Sequence, residues 1–253
     1  IKSIYVEQGK PDEYAAYMRQ IGKPLSADTE DELTWAAAEK LYDDQKINEA
    51  LNAYNSYLQR FPNGAHVVEA NFNRAEIYNV KKDWNNAVPA YEAVAAQAPN
   101  QFAERSVLAA ARINFFELKN YARAEAFYAQ LKQITSSQEL KLEAMRGLLR
   151  CQYNQQKWAE ASENAKELTA AKGSSADDKT LSNMVIAKSY QVAGQYNEAI
   201  NSFKSVVQLN KAALAAEARY EIANCWFLLN KLTESEKAAF ETINKSGSYD
   251  YWI

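Results

Sequence analysis

Hydrophobic and polar positions along this chain repeat on a long period. A small residue stands at Ala50, Ala87, Ala124, Ala161, Ala199 and Ser235, at successive steps of 37, 37, 37, 38 and 36 residues. Three residues before it come Ile47, Trp84, Tyr121, Trp158, Tyr196 and Leu232; four after it come Tyr54, Tyr91, Tyr128, Ala165, Phe203 and Ala239. Nine before it stand Leu41, Tyr78, Phe115, Gln152, Tyr190 and Trp226. Offsets of three and four share one helical face. Each period therefore predicts a helix in which a small residue sits between large ones, the pattern of close helix approach. Turn chemistry lies between the columns, clearest at Ala193-Gly194-Gln195 and weaker at Gln45-Lys46 and Lys81-Lys82-Asp83. Each unit reads as helix, tight turn, helix. A fixed period of this length marks an array whose units bury their apolar faces only by stacking on their neighbours.

Two stretches carry a family resemblance. Tyr190-x3-Gly194-x-Tyr196-x2-Ala199-x3-Phe203 resembles the core of a tetratricopeptide repeat, as does Tyr78…Trp84-x2-Ala87-x3-Tyr91…Pro99. Pro62 and Pro99, twelve residues past their alanines, fall where that family ends its second helix. The resemblance implies an all-α fold, a right-handed superhelix of antiparallel helix pairs, or α-solenoid. It is strong in the second and fifth units and weak in the fourth and sixth. The period exceeds the family's usual 34 residues. The surplus lies between the proline and the next first helix, and is expected as one extra N-terminal turn of that helix. Lengthened repeats of this kind resemble bacterial envelope proteins of the outer-membrane assembly lipoprotein and Tol-Pal accessory types. That likeness favours the periplasm or cell envelope over the cytoplasm.

The whole of 1–253 is expected to be a single array. Residues 1–25 read as a partial leading repeat, because Tyr5-x3-Gly9 has the spacing of Tyr190-x3-Gly194 and Tyr14 takes the small-residue position. Six helix pairs follow over 26–245, and the aromatic stretch 246–253 reads as the start of a further helix. Neither end has the polar cap that closes an array, so the segment reads as part of a longer one. Helix starts are signalled at Thr29-x-x-Glu32, at Ser136-x-x-Glu139 and within Ser174–Asp178 after Gly173.

Composition narrows the functional classes. The net charge is −3 with both signs interspersed, without the basic stripe of a nucleic-acid footprint, and no apolar run is long enough to span a membrane. Cys151 and Cys225 occupy equivalent repeat positions two units apart, too far for a disulfide, and read as buried free thiols. His66, the only histidine, reads as a surface residue at a helix start. The chain has no phosphate-binding glycine loop, nucleophile elbow or zinc-ligand spacing. No enzymatic activity and no cofactor or metal are expected.

The expected function is a non-enzymatic interaction scaffold, holding a peptide or helix of a protein partner in its groove. The alternative is a structural spacer in a larger envelope or secretion assembly. In tetratricopeptide arrays the first helices line the concave face, which implies a partner-binding groove of Trp35, Tyr42, Phe72, Phe116, Tyr153, Tyr220 and Phe227. Within it Arg146, Arg150 and Lys188 are expected to form a basic zone able to clamp a carboxylate. The aromatic residues are expected to be exposed and contiguous.

Overall fold

A computed structural model describes residues 1–209 and 213–247 of the chain. The described residues form fourteen α-helices and one π-helical turn, without a strand. The stretch 248–253, expected to open a further helix, lies outside them. The chain divides into two compact units, 1–119 and 120–253. The first holds α1 (Lys2–Glu7), α2 (Pro11–Gln20), α3 (Ala27–Asp43), α4 (Ile47–Arg60), α5 (Val67–Val80), α6 (Trp84–Ala95) and α7 (Ala103–Arg112), which runs on into the π-helical turn Ile113–Glu117. The second holds α8 (Tyr121–Ile134), α9 (Gln138–Asn154), α10 (Trp158–Ala170), α11 (Ala176–Val192), α12 (Tyr196–Leu209), α13 (Ala213–Leu228) and α14 (Leu232–Lys245). Within each unit every helix packs on the next in sequence. Both units are all-α solenoid stacks. The two helices of the third expected pair, α7 and α8, fall one in each unit.

The small-residue column is the structural core of the second helices. Its five alanines are fully buried, and Ser235, the exception, satisfies its hydroxyl by donating to the Ala223 carbonyl at 2.9 Å. The large residues four positions on are buried in most repeats, with Tyr54, Tyr91 and Phe203 among the largest enclosed side chains. Gly147 marks how close the helices come. A Cβ there would meet the Tyr128 ring at 2.5 Å, so only glycine admits that ring.

Every helix pair turns on one residue in the left-handed region, five positions before the small residue. These are Gln45 (φ 62°), Lys82 (57°), Lys119 (52°), Gln156 (57°), Gly194 (75°) and Asn230 (56°). Around Gln45 the amide of Lys46 reaches back to Leu41 O at 3.0 Å and that of Gln45 to Tyr42 O at 2.9 Å, the pair of bonds that closes a helix end.

Helix starts differ in detail from the sequence expectation. Ser26, not Thr29, caps α3, and Ser137, not Ser136, caps α9. The capping box of α11 is Ser175 with Asp178. The surplus residues of the period are used in two ways. In α3, α9 and α11 they lengthen the first helix to 17 residues, as expected. After Pro62 they form a turn instead, and α5 has only 14 residues. Asp31 holds that turn: its carboxylate accepts from the Tyr57 hydroxyl and from the Ala65 amide at 3.0 Å, while Tyr57 Oη accepts from the His66 amide at 3.0 Å.

Candidate interaction face

One column of first-helix residues, eleven before the small residue, organises the polar chemistry of both units: Glu39, Glu76, Ile113, Arg150, Lys188 and Asn224. Glu39, Glu76 and Lys188 each bond side chains of neighbouring helices. Glu39 accepts from the Tyr54 hydroxyl and from Asn73 Nδ2 at 2.9 Å. Burial and the charges of Glu69 and Asp43 outweigh these bonds and hold its pKa above the usual carboxylate range. One repeat later Glu76 keeps the same tyrosine bond, from Tyr91 Oη at 2.6 Å, and adds an ion pair with Arg105. Tyr54 and Tyr91 are both pushed far above the ordinary phenol range by burial and by these carboxylates.

In the second unit the column changes sign. Lys188 lies among two carboxylates of α13, bonded to Glu221 and 3.5 Å from Glu217. Burial works to depress the lysine, but the bond to Glu221 and the nearby charges outweigh it, and its pKa stands above the ordinary value. Glu221 is raised by burial yet held below the usual range by donors from Gln191 (2.6 Å), Lys188 and Asn224 (3.2 Å). Glu217, more weakly bonded, is raised by burial. Arg146 is likewise committed. Its Nε and Nη2 donate to the two oxygens of buried Asp178 at 2.6 and 2.7 Å, a forked pair. Asp178 also accepts from the Ser175 amide at 2.9 Å. The arginine and these bonds lower its pKa to about 2 against the cost of burial.

Arg150 differs from both. It is exposed, and among the described residues its guanidinium has no ion pair. In the following first helix the positions that serve Lys188 as Glu217 and Glu221 are Leu181 and Val185, which offer it no acceptor. Three residues on, on the same face, Tyr153 is half-buried with its ring edge-on to Trp158 at 5.4 Å.

The expected exposed aromatic surface is therefore corrected at several positions. Trp35 is 8% exposed, because His66 stacks flat on it at 4.7 Å and the rings of Tyr54 and Tyr57 close its other sides. Phe72 is 6% exposed, stacked by Phe102 at 4.5 Å and covered by the Arg105 guanidinium at 4.9 Å. Both covers come from the segment just before the next first helix, which folds back over the ring. Tyr42 is half-buried beside Tyr54. Phe116, Tyr220 and Phe227 are exposed. The basic zone is corrected as well: Arg146 and Lys188 are neutralised by Asp178, Glu217 and Glu221, so Arg150 alone of the three presents an unpaired charge. The acidic partners and Phe102 were not singled out in the sequence, and His66, expected as a surface residue, instead lies half-buried as the ring that covers Trp35. The repeat register contained the signal, since Glu217 and Glu221 face Lys188 from the same relative positions that Glu69 and Asn73 occupy near Glu39.

Stacked antiparallel helix pairs, with a polar and aromatic face on their first helices, define a helical-repeat interaction scaffold. The chain belongs to the tetratricopeptide repeat family, which it matches at residues 36–102 and 184–250. Proteins of this family are generally non-enzymatic scaffolds that bind protein partners. No helix among the described residues is long and apolar enough to cross a membrane. Solved structures of similar fold include the MamA protein, 14% identical over 71% of this chain and 92% of that one (TM-score 0.56). A chain of the Naa15/Naa10 structure bound to HypK-THB is 12% identical over 99% of this chain and 36% of its own length (TM-score 0.65). The apo form of the quorum sensor NprR from B. thuringiensis is 12% identical over 99% and 76% (TM-score 0.51). No curated protein matches the chain in sequence.

Proposed function

We propose that this chain grips a peptide or helix of a protein partner on the first-helix face of residues 120–253, anchored at Arg150. The observation that carries the reading is the contrast within one column. Glu39, Glu76 and Lys188 are all satisfied by groups of the chain itself, whereas the guanidinium of Arg150 is exposed and has no ion pair among the described residues. An arginine with open bidentate geometry, beside Tyr153 and on the same run of helices as Tyr220 and Phe227, matches the residue types that dominate binding energy. Its ligand is a carboxylate of the partner, a side chain or a C-terminus. In the first unit Tyr42 and Phe116 occupy the equivalent face. Trp35, Phe72, Arg146 and Lys188 act from beneath, setting the position of the helices that carry the face.

A binding titration with a partner recovered on the wild-type chain tests this. Arg150→Glu is expected to weaken binding by about 1–3 kcal/mol, and Lys166→Glu, on an outer helix of the same repeat, to leave it unchanged. Both variants should melt as the wild type does. Equal binding by the Arg150→Glu and Lys166→Glu variants would remove Arg150 from the interface.

A further inference from the structure

One half-buried cation of the first unit has no counter-charge among the described residues. Thirteen residues before the small residue, the first helices carry Ala37, Ala111, Leu148, Ile186 and Ile222, but α5 carries Arg74. Its Nη1 donates to Asn55 Oδ1 of α4 at 3.1 Å, and its Nε is buried without an acceptor. Burial pushes its pKa down from the ordinary value, against a smaller opposing effect of Tyr78. An arginine nevertheless stays protonated in a protein, so the cost of burying an unbalanced charge stands. Arg146 meets the same problem with a carboxylate, Asp178, across its Nε and Nη2. Arg74 has none.

The surroundings are built of donors. On α4, Asn48, Asn52 and Asn55 follow one another at helical offsets along one face, and on α5 so do Arg74, Tyr78 and Lys81. Bonds between the two helices fix the register: Lys81 donates to Asn48 Oδ1 at one end, and Arg74 to Asn55 at the other. Asn55 also donates to Tyr78 Oη at 3.5 Å, which leaves the phenol hydrogen to be given to another acceptor. Asn48, Asn52 and Lys81 are exposed, so the two stripes open to solvent. These six residues hold two positive charges and no carboxylate. The register itself admits one, since Glu92 takes the place of Asn55 in the next repeat.

We propose that Arg74, Tyr78 and Lys81, with the asparagines of α4, bind a dianionic phosphate group, either free phosphate or a small phosphate monoester. The charge count selects this class: a phosphate monoester carries about −1.5 to −2 near neutral pH and offers three acceptor oxygens, whereas one carboxylate would balance only one of the two cations. Arg74 supplies its Nε–Nη2 edge, the fork that Arg146 turns on Asp178. Tyr78 and Asn52 lie next to that edge as further donors. Lys81 stands seven residues on, about 10 Å along α5, a span its flexible four-carbon stem shortens. The site lies in the first unit, goes beyond the interaction-scaffold reading and does not depend on Arg150.

Inorganic phosphate is titrated into the full chain while the arginine Nε–H resonances are followed by NMR, that of Arg74 being identified by its loss in Arg74→Leu. Glycerol 3-phosphate serves as the monoester, with sulfate and acetate at matched ionic strength as controls. The Arg74 resonance is expected to shift saturably with phosphate, and affinity to rise between about pH 5 and pH 7 as the second phosphate proton leaves. Asn55→Asp supplies the missing carboxylate from within, and is expected to weaken phosphate binding on the order of tenfold or more. Arg74→Leu, the residue of α9 at this position, should abolish binding and melt no lower than the wild type. Saturation by inorganic phosphate alone assigns the site to the free ion, and saturation by both to the monoester class; either supports the site. No saturable shift, or unchanged affinity in Asn55→Asp, overturns the proposal. Equal responses to phosphate, sulfate and acetate would mean an adventitious ion only, with the same consequence.

Discussion

Arg146 and Arg150 sit one turn apart on α9, yet their neighbours give them opposite tasks. Asp178 takes the first into a forked ion pair at the start of α11, while the second faces solvent. The pair carries a pH signature. Asp178 has a folded pKa of about 2 against an ordinary 3.8, so folding favours its ionised form. Its contribution is complete above about pH 4 and fades as the pH falls toward 2. Asp178→Asn is expected to cost about 2 kcal/mol at neutral pH, with the melting difference from wild type closing below pH 3. A difference that stays constant with pH would show that the ion pair contributes nothing. The thiols give a second residue-scale outcome. Cys151 and Cys225 are free and fully buried, with pKa values pushed up to about 12 and about 11 by burial and, secondarily, by Glu125 and Glu221. Native protein should therefore leave a thiol reagent unreacted, and denatured protein should titrate two groups; a fast native reaction at either would place that repeat in the wrong register.

Among the elements, the helices were legible because their apolar positions recur at helical offsets, and the helix pairs because a small residue recurs between large ones. The turn type was legible only at Gly194. Gln45, Lys82, Lys119 and Gln156 adopt the same left-handed conformation without a sequence mark, because two closing hydrogen bonds and packing of the flanking helices impose it on an unsuited residue. Relief of that strain is measurable. Gln156→Gly is expected to stabilise the chain by about 0.5–1 kcal/mol, the left-handed cost of a side chain less the added entropy of glycine in the unfolded state. The same change at exposed Lys204, in the interior of α12, should destabilise by a similar amount. If Gln156→Gly lowers the melting temperature instead, its side chain does more in the turn than its geometry suggests. Element boundaries were less legible where the inter-repeat segment chooses between helix and turn. After Pro62 the Asp31–Tyr57 network holds a turn, whereas α9 and α11 start at the caps Ser137 and Ser175 and run for 17 residues.

For the whole molecule, repetition explains both what the sequence revealed and what it concealed. A column defines a residue's place in its repeat, so the fold and the first-helix face could be read directly from offsets. Exposure depends on what the neighbouring repeat lays over that place, and this varies. His66 and Phe102 bury Trp35 and Phe72, Glu217 and Glu221 neutralise Lys188, and among the described residues none does either for Arg150. Pairing columns between successive repeats, rather than reading each alone, recovers most of these differences. The account's central claim is that the partner lies on the first-helix face of residues 120–253, and site-specific photo-cross-linking tests it most directly. A photoreactive residue replaces Arg150 or Gln191 on the first helices, or Lys166 or Lys204 on the outer face of the second helices in the same repeats. Position 191 should yield a covalent adduct with the partner, position 150 a weaker one because the anchor itself is lost, and positions 166 and 204 none. Adducts at 166 and 204 with none at 191 would contradict the account.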